Sequence, residues 1–398
     1  MKSKALHWVE YCNGTGNTYY ANLRRANGHP EPYNVRYWAV GNECWGDWQV
    51  LQTDATEYGK RAHQWSKALK LLDPNLVLVL CGETGVSSWD HEVLQLALPF
   101  IDMLSIHLYT TDKLHERNVT APLAAEKSIQ VASSLIDLAV IENLKRGKIP
   151  PTFKKPTICF DEWNVWDPER APGAEGGEES YSLSDALAVG VWLNVLIRQG
   201  DKVGMANIAQ SVNVLSPIMT TKDGLRKQPT YWPLFLASNF LRGTVIGLHL
   251  ECGEWGAGQK DTAGGDPSAW ARAALEGSKG QEKDGETDTK TNPAWLRNLE
   301  VATPWLDITA VLDEAGKVNL SVVNMRQDED LIVDLRLVGI DEQAEVEVYV
   351  VTGDGKGVLL DREAKDVAMQ GPLKERLEAS KYTFKKHSYT LLRFATKA

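Results

Sequence analysis

Two carboxylates stand at positions where a charge needs a reason. Glu43 follows the apolar run of "RYWAVGNECWGDWQV" (36–50) and has Trp38, Trp45 and Trp48 close by in sequence. Glu162 sits in "CFDEWNVW", again after an apolar run, with Trp163 and Trp166 behind it. A glutamate at the mouth of a buried strand needs a paired cation or a task. Singly, each glutamate fits a salt bridge at a strand end as well as it fits catalysis. Together, with aromatic walls and no cation motif, they match what glycoside hydrolysis uses: one carboxyl protonates the departing oxygen, the other attacks the anomeric carbon or activates water. Strand alternation sends Asp161, next to Glu162, to the opposite face, which makes it a structural acceptor turned away from the cleft. Glu83 in "CGETG" is a third strand-end carboxylate and is expected to be a solvated loop residue.

The elements that would carry these residues alternate. Short β-rich runs at 35–40, 76–82, 101–109, 156–163 and 202–210 are separated by helical stretches at 54–73, 126–147 and 182–200. Asp54 and either Ser182 or Ser184 are candidate N-caps, and Gly147 and Gly200 stop the second and third helices. A further helix is expected around Tyr19 to Ala26. Strands alternating with helices give a parallel sheet, and near-continuous apolar strands imply that both of its faces are covered. In such a βα barrel the site lies at the C-terminal ends of the strands, so Glu43, ending the first strand, and Glu162, ending the fourth, would share one mouth.

After Gln210 the texture changes. A polar, Gly-, Lys-, Asp- and Glu-rich segment at 253–292 is expected to be a long disordered surface loop. Beyond it, segments such as "WLDITAVLDEAGKVNLSVVNM", "AEVEVYVVTGDG" and "HSYTLLRFAT" alternate with period two, as in an antiparallel β-sandwich. The expected division falls near Ser211–Pro217: residues 1–212 form the C-terminal portion of a catalytic barrel, and 213–398 a sandwich domain carrying the insert.

Bulk properties narrow the function. The net charge of −10 (43 basic against 53 acidic residues) argues against nucleic acid and anionic membranes as partners, and no apolar run approaches a membrane span. Fourteen tryptophans among 398 residues offer flat apolar faces to sugar rings, although a single Trp is more readily a core filler. The five cysteines, odd in number and without close-spaced pairs, fit buried free thiols in a reducing compartment, which favours the cytoplasm. No motif suggests a metal or nucleotide cofactor.

These residues reach a known family. "WAVGNECWG" resembles the Gly-Asn-Glu acid/base signature of the clan A (β/α)8 glycosidases, and "DEWNVW" resembles the nucleophile strand of the α-L-arabinofuranosidases of glycoside hydrolase family 51. The first motif is shared by many sugar hydrolases and the second is much more specific. The order of barrel then sandwich also fits, and the resemblance covers essentially the whole chain. It implies a retaining double displacement, with Glu162 as nucleophile and Glu43 as acid/base, that releases terminal α-L-arabinofuranosyl residues from arabinan- or arabinoxylan-type chains. By the same resemblance Asn42 bonds the sugar 2-hydroxyl, Tyr109 orients the nucleophile and His107 lines its pocket. Trp166 forms the aromatic wall of the subsite, and Gln210 binds a sugar hydroxyl. Residues 107 and 109 have the i, i+2 spacing that puts them on one face, and the plain alternative for His107 is a satisfied core histidine.

The family's barrel has eight strands and its acid/base sits on the fourth, whereas five strands are counted here. The expected fold is therefore an incomplete (β/α)8 TIM-type barrel followed by a jelly-roll-like β-sandwich. "MKSKALHWVEYCNG" reads like the interior of a longer protein, whose earlier part could have carried a secretion signal. Two other functions compete: another clan A glycosidase, such as a xylanase or glucanase, and a truncated, inactive sugar-binding relative. Homo-oligomerisation stays open.

Overall fold

The structure is a computed structural model that describes residues 2–167, 177–255, 303–340, 345–353, 367–377 and 380–397. The chain divides into two compact units. One comprises Met1–His107, Lys127–Glu162 and Asp201–Asn207, the other Leu108–Glu126, Trp163–Gly200 and Ile208–Ala398.

The first unit opens with two helices, α1 (Lys2–Asn13) and α2 (Tyr19–Ala26). Strand β1 (Tyr37–Ala39) is followed by α3 (Ala55–Leu72), β2 (Val77–Cys81), α4 (Ser88–Ala97) and a 3-10 turn at Leu98–Phe100. Strand β3 (Met103–Thr110) then runs on into the second unit, where α5 (His115–Thr120) lies. Helix α6 (Leu123–Lys145), β4 (Thr157–Val165), α7 (Leu183–Arg198) and β5 (Val203–Ile208) complete the βα alternation. The five strands form one sheet in the order β1-β2-β3-β4-β5, with β1/β2 and β2/β3 parallel.

Local chemistry explains the boundaries. Asp54 caps α3 by accepting from the Glu57 N–H, and Ser87 and Asp90 form a reciprocal capping box on α4. Gly147, with φ +65°, takes the left-handed conformation that ends α6. In the middle of the sheet Val79, Met103 and Cys159 pack together, joined by Val77 and Met205.

Several expectations need correction. Strand β1 spans only three residues and is largely exposed, and β5 is also mostly outside the core, so only β2 to β4 are covered on both faces. Among the described residues β1 and β5 are sheet edges with one neighbour each, which is why the burial implied by their apolar letters is not realised. Glu43 lies four residues beyond β1 instead of ending it, and β4 continues three residues past Glu162. Gln210 lies two residues after β5. Helix α1 was not anticipated, although Ala5, Val9 and Cys12 have helical spacing and Val9 and Cys12 are buried.

In the second unit α7 is apolar on nearly every side, with Trp192 fully buried. Ser182, not Ser184, is its N-cap, in a capping box with Asp185. A Cβ on Gly190 would lie 2.8 Å from Tyr389 Cδ2 and 3.1 Å from Val323 Cγ2, so glycine lets the helix backbone approach the sheet closely. A hairpin, β6 (Ile218–Thr221) and β7 (Gly224–Lys227), leads to α8 (Tyr231–Phe240). The remaining strands are β8 (Thr244–Val245), β9 (Glu254–Trp255), β10 (Thr303–Pro304), β11 (Leu306–Leu312), β12 (Lys317–Asn324), β13 (Leu331–Asp334), β14 (Val346–Thr352), β15 (Ala368–Glu375), β16 (Lys381–Phe384) and β17 (Ser388–Ala395). Six make an antiparallel sheet ordered β15-β14-β17-β12-β11-β8, and β13 pairs with β16. Leu320, Val322, Val348, Phe384, Leu392 and Phe394 are central to its core. Residues 254–255, at the start of the expected surface loop, are strand β9 paired with β10, and 256–292 lie outside the described residues.

Candidate active site

The loop after β1 is built for close approach. A Cβ on Gly41 would meet Cys44 Sγ at 2.8 Å and the Tyr58 ring at 3.0 Å, so only glycine fits. Glu43 itself has φ +45°, a left-handed conformation uncommon for a non-glycine residue and a recurrent feature of functional sites. Trp45 ties the loop to the end of β2 by donating to the Gly82 carbonyl at 3.0 Å, and its ring meets Trp48 edge-on. Trp48 Nε1 and Gln49 Nε2 donate to Glu43 Oε2 at 3.0 and 3.2 Å. Trp38 plays no part in this arrangement: its indole donates to the Val35 carbonyl and its ring meets Trp8 edge-on.

His107, on β3, is buried and carries the cluster. Its Nδ1 stands 3.1 Å from Glu43 Oε1 and 3.7 Å from Glu162 Oε2. Its Nε2 stands 3.2 Å from both Asp161 Oδ1 and Ser105 Oγ, and the Ser105 hydroxyl donates to that same Asp161 oxygen at 2.6 Å. Asp161 is therefore not turned away. Two residues apart on β3, Ser105 and His107 share a face, and Asp161 on β4 joins them from behind the ring. The Glu83 carbonyl receives the His107 N–H, and the Glu83 N–H donates to Asp90. The buried Asp90 carboxylate also accepts from Gly85 N and from the backbone and hydroxyl of Ser87, which fixes the turn after β2. Glu83 is thus a half-buried loop residue, not a solvated one.

Electrostatics follow from this geometry. Burial alone would depress the His107 imidazole, but hydrogen bonds to Asp161 and Glu43 and the charge of Glu162 outweigh it and raise its pKa to about 9. Burial alone would raise Glu43, but donors from His107, Trp48 and Gln49 and the imidazolium charge bring it below 4.5. The geometry thus favours an imidazolium on His107 and an ionised Glu43. Single ligand atoms of Glu43, His107 and Glu162 lie within 4.8 Å of one another, a spacing that could suit a cation. A cation there would have to displace the proton from His107 Nδ1, which Glu43 holds at 3.1 Å.

The other expected site residues lie as follows. Asn42 is exposed and precedes Glu43. In the second unit Tyr109 and Trp166 meet edge-on at 5.3 Å, and Gln210 is exposed. Trp48, Gln49, Ser105 and Asp161 were missed as partners of the cluster. Ser105 could have been found from its i−2 spacing to His107, whereas the turn that brings Trp48 back over Glu43 has no signature in the letters.

Two family profiles match: the α-L-arabinofuranosidase C-terminal domain over residues 161–388 and the α-L-arabinofuranosidase 1 domain over residues 1–124. The probable α-L-arabinofuranosidase C of Aspergillus clavatus is 50% identical over 403 aligned residues, covering 98% of this chain and 71% of the relative. The α-L-arabinofuranosidase C of Emericella nidulans is 50% identical over 410, with the same coverage. Among solved structures, the α-L-arabinofuranosidase of Thermotoga maritima in complex with arabinose superposes with a TM-score of 0.77 at 31% identity, covering 99% of this chain and 73% of that one.

Proposed function

The chain belongs to the α-L-arabinofuranosidases of glycoside hydrolase family 51, and from that premise we propose that it removes terminal non-reducing α-L-arabinofuranosyl residues from arabinan- or arabinoxylan-type chains with retention of configuration. The observation that carries the stereochemistry is the approach of Glu43 and Glu162 oxygens to within 4.8 Å across His107. Retaining enzymes hold their carboxyls about 5–5.5 Å apart, while inverting ones leave roughly 6.5–9.5 Å for a water.

In this reading the Glu162 carboxylate attacks the anomeric carbon, and the bond to the glycosidic oxygen breaks with its electron pair going to that oxygen. Glu43 supplies the proton the oxygen takes. Water then attacks the ester-linked sugar, Glu43 accepts the water's proton, and Glu162 leaves as a carboxylate. Asn42 bonds the 2-hydroxyl, a contact that strengthens in the transition state. Tyr109 orients the nucleophile, while His107, Trp166 and Gln210 line the sugar subsite. Residues 1–212 supply this barrel portion and 213–398 the sandwich.

The test is a pair of variants assayed on aryl arabinofuranosides. Glu162→Gln should abolish turnover because no covalent glycosyl-enzyme can form. Glu43→Ala should lose roughly 10²–10⁴-fold on a poor leaving group and far less on one that departs without a proton. Added azide should restore its rate and give an arabinosyl azide of retained configuration. An inverted azide would sink the retaining assignment.

A further inference from the structure

An acid must hold a proton, yet the resting geometry keeps Glu43 ionised by three donors. The proton it needs is one bond away, on a ring flanked by both glutamates. We propose that His107 stores the catalytic proton in the free enzyme and hands it from Nδ1 to Glu43 Oε1 when an arabinofuranoside enters. The proposal rests on Glu43 being the acid/base, and makes His107 a proton-holding residue that acts through Glu43.

The transfer balances: His107-H⁺ and the Glu43 carboxylate become neutral His107 and Glu43-COOH, with the total charge unchanged. The 3.1 Å Nδ1–Oε1 contact is within direct transfer distance. The groups found near the ring among the described residues suit the storage role. Behind Nε2, Asp161 and Ser105 hold the imidazolium in place. Glu162 adds its charge from the front, 3.7 Å from Nδ1. On β2, the Cys81 thiol near Asp161 is pushed up by its contact with Cys44 and by burial; on β4, burial first and then Asp161 push the Cys159 thiol up to about 12. Both stay neutral and do not compete for the charge. A sugar ring over Glu43 excludes water, and an ion pair in a drier site is less stable against its neutral form, which drives the proton across.

The experiment compares pH profiles of kcat/KM on an alkyl and a dinitrophenyl α-L-arabinofuranoside for the wild-type chain and His107→Asn. Without the imidazolium, the proton must sit on Glu43 itself, a carboxyl of ordinary value 4.5 that burial raises, in place of an imidazolium near 9. The alkaline limb on the alkyl glycoside should therefore fall by at least about one pH unit, and above that limb the deficit should grow roughly tenfold per pH unit. The dinitrophenyl substrate, whose leaving group needs no proton, should show no growing deficit. A loss of equal size at all pH values and on both substrates would overturn the proposal, since that is what a merely structural histidine would give.

Should His107→Asn not fold, Asp161→Asn removes the carboxylate behind Nε2 and should lower the same limb. An unchanged limb in Asp161→Asn, with ¹⁵N-histidine spectra showing the His107 ring titrating at lower pH than in wild type, would also overturn the proposal. Glu43→Ala is the control for the premise. If its loss of kcat/KM is as large on the dinitrophenyl as on the alkyl glycoside, the acid/base reading fails, whatever His107 does.

Discussion

The indole of Trp48 donates to Glu43 Oε2 at 3.0 Å, although half of the Trp48 surface faces solvent. The aromatic residues around this glutamate are therefore more than a wall for a sugar, because one of them fixes the carboxylate. Trp48→Phe keeps the apolar face and removes the donor, so the carboxyl of Glu43 should move up toward 4.5. A depressed carboxyl stabilises the fold above its unfolded pKa and loses that contribution as pH falls through the folded one. The variant should be less stable at pH 7 by about 1 kcal/mol, and the gap should close below pH 4.5. Urea midpoints at pH 7 and at pH 3.5 check this.

His115 and His387 meet edge-on at 4.5 Å in the second unit, both buried. Burial, then the neighbouring His115, lowers His387 to about 3; burial also lowers His115, against a bond to the Met325 carbonyl. The fold keeps His387 neutral while the unfolded chain protonates it near 6.5. Its stability contribution is intact above pH 6.5 and is lost between there and about 3, by up to about 1.4 kcal/mol per pH unit. His387 has φ +51°, which Asn tolerates. Thermal melts of His387→Asn should be less sensitive to pH between 6.5 and 4 than those of the wild type.

Gly190→Ala tests the approach of α7 to the sheet. The added methyl would press on Tyr389 and Val323. Overpacking costs roughly 1–3 kcal/mol, more than the up to about 1 kcal/mol that alanine returns in helix propensity. The expected outcome is a lower urea midpoint with an unchanged slope.

The same helix is joined to β11 by Arg198, which lies 2.8 Å from the buried Asp307 carboxylate and also pairs with Glu126. Arg198→Met leaves Asp307 buried and unpaired, and should cost about 3–5 kcal/mol. Adding Asp307→Asn should recover part of that loss. No recovery in the double variant would show that the pair acts through packing alone.

The sequence made the alternation of strands and helices legible because each βα unit has its own local signals. Asp54 before α3 and Ser182 before α7 stand where a cap must, and the runs of β2 and β3 are apolar because both faces are covered. What could not be read depends on neighbours in space. The apolar letters of β1 read, like those of β2, as a covered strand, yet among the described residues β1 is an exposed edge. The two glutamates were legible as a pair of carboxylates, although neither ends its strand. The placement of Asp161 was not, because a single alternation rule fixes which face a residue takes but not which ring on the adjoining strand it meets. The partnership of Trp48 with Glu43 depends on a turn conformation that includes a left-handed glutamate, which no propensity scale would have proposed.

Strand β17 lies inside the six-stranded sheet, hydrogen-bonded to β12 on one side and β14 on the other. Among the described strands it comes last in chain order, so during synthesis neither neighbour meets it until residues 388–395 have left the ribosome. Domains are generally made as units from the N-terminus onward, but this sheet cannot form its middle first. Until β17 is made, a nascent chain holds the β11–β12 pair and β14 as separate apolar pieces. That interval is when a chaperone has most to cover, and loss of residues 388–395 would remove the centre of the sheet, not its margin.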